Sequence, residues 1–381
     1  MDFNYSEEQL LVQKTAREFA AEQLAPGVAD RDEKMEFPAE QIKMLGEMGF
    51  MGMMVSEEWG GSGFDTVSYS LALEEIAKVD ASAAVPVSVN NSLVCALLYK
   101  YGTDDQKEKY LRKLATGEWL GAFSLSEPQA GSDASNLLTH AEKSGDQYII
   151  NGTKNWVSNG VNSNIAFVFA VTEKGAGHQG ITVLAVTKGS DGFTTGKKEN
   201  KLGIRGSDTC ELYFDDCTVP GENRIAKEGD GFKIAMSVLD GGRIGIASQA
   251  LGIAQAALES AITYANERKQ FGKKISSFGA VKEKIAKMAT EITCARLLTH
   301  YAANLKDEEK SFSKESAMAK YYASEVAMSA ATECVQIFGG YGYMKEYGVE
   351  RLMRDAKITQ IYEGTSEIQK LVIARSMLEK T

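Results

Sequence analysis

Near the end of the chain, QIYEGTSEIQ (360–369) sets Glu363 between Tyr362 and Gly364. A carboxylate flanked by an aromatic ring and a glycine suits general-base chemistry: the ring keeps water away and the glycine lets a ligand approach. The same glutamate, a few residues ahead of a helix, also fits an acid favoured by the positive helix N-terminus. Spacing alone leaves both readings open, and the turn with Gly364 is expected to be exposed.

Four other stretches offer ligand-binding chemistry. AFSLSEPQAGSD (122–133) is a loop in which Pro128 interrupts regular structure and Ser124, Ser126 and Ser132 supply hydroxyls beside Gly131. Its backbone donors could cradle a phosphate-bearing ligand, or it is a polar connector. NWVSNG (155–160) places Trp156 and Ser158 at alternate positions of a strand, as a wall beside a planar cofactor or as a cover on a sheet. ERKQFG (267–272) ends a long helix with Arg268, which either complements the helix dipole or clamps a pyrophosphate. QIFGGYGY (336–343) carries three glycines within four residues, where an ordinary helix C-cap needs one. Together these residues suggest a large, phosphorylated, planar cofactor working with a carboxylate.

What is missing narrows the chemistry. His140, His178 and His300 stand far apart, and HExxH, GxSxG and GxxxxGK[ST] are absent; the one GxGxxG, GAGHQG at 175–180, joins two strand-like runs instead of opening a helix, so no metalloprotease, hydrolase, P-loop or Rossmann site is indicated. Cys95, Cys210, Cys217, Cys294 and Cys334 contain no CxxC pair and are expected to be free, buried thiols in a reducing compartment. A net charge of -10 argues against nucleic acid as a partner. The start, MDFNYSEEQ, lacks a basic stretch followed by an apolar core, so no signal peptide is expected. IAFVFAV (165–171) is too short to span a bilayer.

These groups need elements to position them. The 381 residues, 44% hydrophobic and 25% charged, allow one large or two to three ordinary globular domains. Only five prolines leave room for long helices. Residues 1–120 read helical, with capping boxes at Ser6-x-x-Gln9 and Thr103-x-x-Gln106 and a further helix over 66–80. Residues 121–230 change period: Asn151-Gly152 signals a hairpin turn, and IAFVFAV, ITVLAV and CELYF read as strands of a small, mainly antiparallel sheet or barrel. Residues 231–381 return to helix, with small and apolar residues at three- and four-residue steps over 246–268, similar runs over about 278–306 and 313–338, and a last helix capped by Ser366-x-x-Gln369. The expected fold is mainly α with a central β domain: a helical domain, a sheet or barrel, and a four-helix-type bundle.

The ordered set LSEPQAGSD, KNWVSNG, KLGIRGS, DGGRIGIASQALGIAQ, ERKQFGKKI, QIFGGYGY and RDAKITQIYEGTSEIQ resembles the acyl-CoA dehydrogenase family over essentially the whole chain, most closely its short-chain, butyryl-CoA type. The resemblance implies FAD held without a Rossmann fold, a homotetramer, and an electron-transfer flavoprotein as partner, with no nucleic acid and no membrane span. It places Glu363 on the family's catalytic base. Phe123, Leu125, Ser126 and Ser132 fall on the flavin loop, with Ser132 also near the CoA chain, and Trp156, Val157 and Ser158 on the strand beside the flavin. Arg268, Phe271 and Phe278 match positions that reach the FAD of a neighbouring subunit; Gln336, Gly339, Gly340, Thr365 and Glu367 match further FAD contacts. Asp240, Arg243, Tyr362 and Gly364 match positions near substrate. Ser158 replaces the family's usual threonine, and Gly279 stands where glutamine is common, which removes a side-chain hydrogen bond near the FAD.

The implied reaction is α,β-dehydrogenation of a short-chain acyl-CoA, butyryl-CoA to crotonyl-CoA, or its reversal as enoyl-CoA reduction. Glu363 would take the α-proton while a hydride leaves the β-carbon for the flavin, with the enolate oxygen held by the Glu363 N–H and a ribityl hydroxyl. Larger or aryl acyl thioesters are the alternative substrates, and a non-catalytic binding protein is the alternative from another class. The expected compartment is the bacterial cytoplasm, with a mature mitochondrial matrix form as the alternative.

Overall fold

The computed structural model describes residues 4–378. The N-terminal part contains α1 (Glu7–Phe19), α2 (Val28–Lys34), α3 (Ala39–Glu47), α4 (Thr66–Val79), α5 (Ala81–Ser88) and α6 (Ala96–Tyr101), then the short α7 (Asp104–Gln106) and α8 (Arg112–Ala115). Both capping boxes form: Ser6 and Gln9 exchange hydrogen bonds at the start of α1, and Thr103 and Gln106 at the start of α7. A wide-turned segment, Val89–Cys95, joins α5 to α6 into one helical stretch. Residues Ala81–Tyr101 are long and apolar enough to cross a membrane by length and composition, but 94% of that window is buried inside the protein, where it forms core.

The middle of the chain is a sheet of β1 (Gly121–Ser124), β2 (His140–Ser144), β3 (Gln147–Ser158), β4 (Ile165–Val171), β5 (Ile181–Thr187), β6 (Phe193–Thr195), β7 (Thr209–Pro220) and β8 (Arg224–Ile225). Its order is β6-β7-β3-β2-β4-β5-β8, with β1 parallel to β4 and most other pairs antiparallel. Strand β4 is apolar throughout, and β5 apart from Thr182 and Thr187, because both faces are covered. Ala166, Val168 and Ala170 pack into the sheet's own core, whereas Ile165, Phe167 and Phe169 pack against the helices.

The expected hairpin turn at Asn151-Gly152 is not one. Those residues lie inside β3, at a register shift against β7, and the turn from β2 to β3 falls at Gly145-Asp146, with Gly145 at φ 59°. Gly152 is there for closeness: a Cβ would sit 2.6 Å from the Thr139 hydroxyl. A second register shift between Lys154 and Val157 puts Val157 inward opposite Cys210, leaving Trp156 and Ser158 outward on either side.

The C-terminal helices are α9 (Gly231–Glu267), α10 (Gly279–Asp307), α11 (Ser313–Phe338), α12 (Val349–Thr359) and α13 (Ser366–Leu378). Helix α9 starts earlier than its alanine pattern indicates, because its first turns carry Phe232, Ile234 and Val238 instead. Buried alanines at 250, 254, 257, 261 and 265 of α9, and at 319, 323, 327, 330 and 331 of α11, let the two helices approach closely. The cap of α13 is Thr365, not Ser366: the Ile368 N–H donates to the Thr365 hydroxyl at 3.3 Å, while the Ser366 hydroxyl donates to Glu325. Gln369 turns back to the preceding loop instead of completing a capping box. Four of the five cysteines are buried as expected, but Cys294 is exposed on α10.

Candidate active site

The turn between α12 and α13 carries Glu363 in a left-handed conformation, φ 51°, followed by Gly364 at φ 91°. A non-glycine residue there is held by its surroundings. Gln369 Nε2 donates to the carbonyls of Glu363 at 3.1 Å and Gly364 at 2.9 Å, and Lys320 Nζ of α11 donates to the Gly364 carbonyl at 2.7 Å. The Ser366 N–H closes the turn on the Gln360 carbonyl at 2.9 Å.

The expectation of an exposed Glu363 is corrected by this geometry. The residue is only partly accessible, and its carboxylate oxygen Oε2 is buried without a hydrogen-bond partner. The reason is tertiary: α9 passes directly beneath, so close that a Cβ on Gly242 would lie 2.1 Å from Oε2. Burial pushes the Glu363 carboxyl up to about 7, against the pull of the Lys320 and Arg243 cations. A desolvated carboxylate with a free lone pair, half-ionised near neutrality, is equipped to take a proton from a weak carbon acid.

Around it, Arg243 is buried with Nε unpartnered and pairs with Asp240 at 2.5 Å, which Ser313 also bonds. Burial raises the Asp240 carboxyl, and Arg243 opposes that shift. Tyr362 donates its hydroxyl to Gln249, whose amide is fixed on the Ala81 carbonyl at 2.8 Å. Tyr69 donates to Ser88 at 3.2 Å, and a Cβ on Gly245 would meet both hydroxyls within 2.6 Å. These side chains form a filled, polar floor beside the carboxylate. Gly241, next to Gly242, lines a cleft of ≈ 560 Å³ that Ser92, Lys100, Lys306 and Phe312 also border.

The remaining expected site residues fall into two groups. Around the sheet, Phe123 packs on Phe169 with ring centres 4.7 Å apart, Leu125 is buried, Ser126 is partly exposed and Ser132 is exposed. Trp156 is 61% exposed at φ 59° and Ser158 partly exposed, while Val157 points into the core. Around the ends of α9 and α11, Arg268 stacks over Tyr341 at 5.1 Å and lines a ≈ 480 Å³ cavity with Gly339 and Gly340. Phe271 is 93% exposed, edge-on to Phe278, and Gln336 is exposed. Thr365 and Glu367 sit at the start of α13, beside the Glu363 turn.

This arrangement fits FAD. An exposed indole held by a strained bulge, beside a serine hydroxyl, is an unsatisfied aromatic platform. A Cβ on Gly339 or Gly340 would meet nothing within 4 Å, and Gly279 also faces open space.

The structure adds groups that the motifs do not reveal: Gly242, Lys320, Gln249 and Tyr69 around Glu363, and the buried Lys154–Glu127 ion pair at 2.7 Å. Glu127 also accepts from the N–H groups of Leu138 and Thr139, and Lys154 donates to the Leu125 carbonyl, so the pair ties the 125–139 loop to β3. The one available signal for Lys320 is a lysine placed among the buried alanines of α11.

Comparison with known proteins places this architecture. The chain matches the family descriptions "Acyl-CoA dehydrogenase, N-terminal domain" over residues 6–118, "middle domain" over 122–217 and "C-terminal domain" over 229–378. It is 49% identical to a Clostridium acetobutylicum protein named "Acyl-CoA dehydrogenase, short-chain specific", covering 98% of this chain and 99% of that protein. The structure of butyryl-CoA dehydrogenase from Megasphaera elsdenii superposes with a TM-score of 0.98 at 49% identity, covering 99% of this chain and 100% of that one. A structure described as "Electron transferring flavoprotein of Acidaminococcus fermentans: Towards a mechanism of flavin-based electron bifurcation" superposes with a TM-score of 0.99 at 50% identity, with full coverage of both chains.

Proposed function

This chain belongs to the acyl-CoA dehydrogenase family of oxidoreductases acting on CH–CH bonds, and from that premise we propose that it interconverts butyryl-CoA and crotonyl-CoA, with Glu363 as the base. The observation that carries the reading is the buried, unpartnered Oε2 of Glu363 above a polar floor.

In the dehydrogenation direction the acyl thioester enters beside α9, and Glu363 takes the proton from its α-carbon. The turn presents the Glu363 N–H to the thioester oxygen, where negative charge develops. Asp240, Arg243, Tyr362, Gly364 and Ser132 bind and orient the thioester and its CoA. The hydrogen bond between Tyr362 and Gln249 would limit the space beyond a short acyl chain, and so favour butyryl over larger or aryl groups.

FAD is the family's general cofactor; when bound, it supplies the two-electron acceptor for the β-hydrogen. Phe123, Leu125, Ser126, Trp156, Val157, Ser158, Thr365 and Glu367 would hold it in one subunit. Arg268, Phe271, Phe278, Gln336, Gly339 and Gly340 would reach it from a neighbour in a homotetramer. An electron-transferring flavoprotein would exchange the electrons, in the bacterial cytoplasm. Likeness to the Acidaminococcus fermentans structure supports that partner.

The test is the visible spectrum of the purified protein during anaerobic addition of butyryl-CoA. Bleaching of the flavin band is expected in the wild type and not in Glu363→Gln. A Glu363→Gln protein reduced at the wild-type rate would remove the base assignment, and faster bleaching by aryl acyl-CoA would overturn the short-chain reading.

A further inference from the structure

Lys320 lies in the middle of α11 with no accessible surface, its neighbours on that helix including Ala317, Ala319 and Ala323. Its ammonium donates to the Gly364 carbonyl at 2.7 Å, in the turn that presents Glu363. That carbonyl already accepts from Gln369 at 2.9 Å, so it would stay satisfied without the lysine. Burying an ammonium is costly, and satisfying one carbonyl that has another donor does not account for it.

The charges around the turn supply the reason. Of the carboxylates near Lys320, Glu363 acts on it most strongly, ahead of Glu325 and Glu367 on α11 and α13. Of the two cations that act on Glu363, Lys320 outweighs Arg243 of α9, and Arg243 already has Asp240 as its ion-pair partner. Facing the same carboxylate, Tyr69 of α4 and Tyr362 of the turn itself are both neutral, their hydroxyls pushed up by burial. Lys320 is therefore the cation not already compensated within its own pair. Burial lowers the Lys320 ammonium and raises the Glu363 carboxyl, and the attraction between the two opposes both shifts.

We propose that Lys320 is a positioning residue for Glu363: it fixes the turn through the Gly364 carbonyl and, by its charge, holds the carboxylate in the base-competent form. The proposal rests on the reading of Glu363 as the base. Ser324, one turn along α11, bonds the carbonyls of Lys320 at 2.6 Å and Thr359 at 2.7 Å, so α11 and the end of α12 move as one piece beneath the turn.

The experiment compares Lys320→Gln, which keeps a donor for Gly364 without the charge, with Lys320→Arg, which keeps the charge. Two quantities are read on flavin-loaded protein. One is the acid limb of kcat/KM for butyryl-CoA dehydrogenation. The other is the infrared titration of the Glu363 carboxyl stretch without substrate, assigned by its loss in Glu363→Gln. Losing the cation makes Glu363 harder to ionise, and a base must be ionised to act. Both midpoints should therefore move to about tenfold lower proton concentration in Lys320→Gln and return toward wild type in Lys320→Arg. A folded, flavin-bound Lys320→Gln with both midpoints unmoved overturns the proposal. Lys320→Met supplies the same comparison if the glutamine variant does not fold. If Glu363→Gln keeps wild-type turnover, the base reading falls by itself, and the infrared midpoint still decides whether Lys320 controls that carboxylate.

Discussion

Gly242 of α9 and Glu363 of the last turn meet with no room for a methyl group: a Cβ at 242 would lie 2.1 Å from Glu363 Oε2 and 2.9 Å from Leu93 Cδ2. The helix backbone is thus one wall of the carboxylate's pocket, and two segments more than a hundred residues apart define where that carboxylate points.

Gly242→Ala tests that relationship. Alanine favours a helix interior by about 1 kcal/mol over glycine, which offsets part of the crowding. The end of a flexible side chain is what must move, so the melting temperature should change by only a few degrees. A base displaced by about an ångström costs on the order of 100-fold in rate. The expected result is a large fall in kcat with a nearly normal melt; a near-wild-type kcat would show that the carboxylate does not need this wall.

The raised carboxyl of Glu363 has two measurable consequences. Butyryl-CoA oxidation should lose activity as pH falls below about 7, because protonated Glu363 cannot accept the α-proton. For stability the sign is opposite to that of a salt-bridged acid. The folded state holds the proton up to about 7 and the unfolded state only to the ordinary 4.5, so stability falls as pH rises through that window and is flat above it. Glu363→Gln should therefore be inactive yet more stable at pH 8, by on the order of 3 kcal/mol. Equal melts for both proteins from pH 5 to pH 8 would contradict the burial of this charge.

On the proposed reading, Gln249 limits the length of acyl chain that the site accepts. Gln249→Ala removes the partner of the Tyr362 hydroxyl and the donor to the Ala81 carbonyl, and should open space beyond a four-carbon acyl group. Each newly buried methylene contributes about 0.8 kcal/mol, so kcat/KM for hexanoyl-CoA relative to butyryl-CoA should rise on the order of tenfold. The unpaired tyrosine and carbonyl should lower stability by about 1–3 kcal/mol. An unchanged chain-length profile would place the floor elsewhere.

Lys154 and Glu127 anchor the 125–139 loop, the proposed flavin loop, from inside the protein. Lys154→Met leaves Glu127 buried beside an apolar group, at a cost of about 3–5 kcal/mol. Glu127 also loses part of its hold on the 125–139 loop, so the variant should purify with less flavin and release it faster on dilution. Glu127→Gln with Lys154→Met together should recover part of the stability, since no unpaired charge remains. A double variant as unstable as Lys154→Met alone would mean that packing, not charge, is lost there.

The local signals in the chain were largely sufficient for the elements. Ser6-Gln9 and Thr103-Gln106 cap helices as their spacing indicates, because a capping box is completed within four residues. The strand at 165–171 and the alanine-rich helices follow from their period. Where two local motifs competed, the tertiary context chose. Asn151-Gly152 is a good turn, but the sheet needs a close-packed kink there, and Gly145 makes the turn instead. Ser366-Gln369 has the capping spacing, but Gln369 is drawn to the carbonyls of Glu363 and Gly364, and Thr365 caps the helix.

By itself, then, the sequence determined the three-part architecture, the family, and which carboxylate to examine, since these rest on periodicity and on motifs read along the chain. It did not determine the state of that carboxylate. Whether Glu363 is solvated or buried, whether Gly242 crowds it, whether Lys320 and Arg243 share its field, and whether Tyr362 and Gln249 close the pocket depend on α4, α9, α11 and the last turn converging from distant parts of the chain. Desolvation and Coulomb interaction act through space, and the dielectric that sets their strength exists only once the protein has packed.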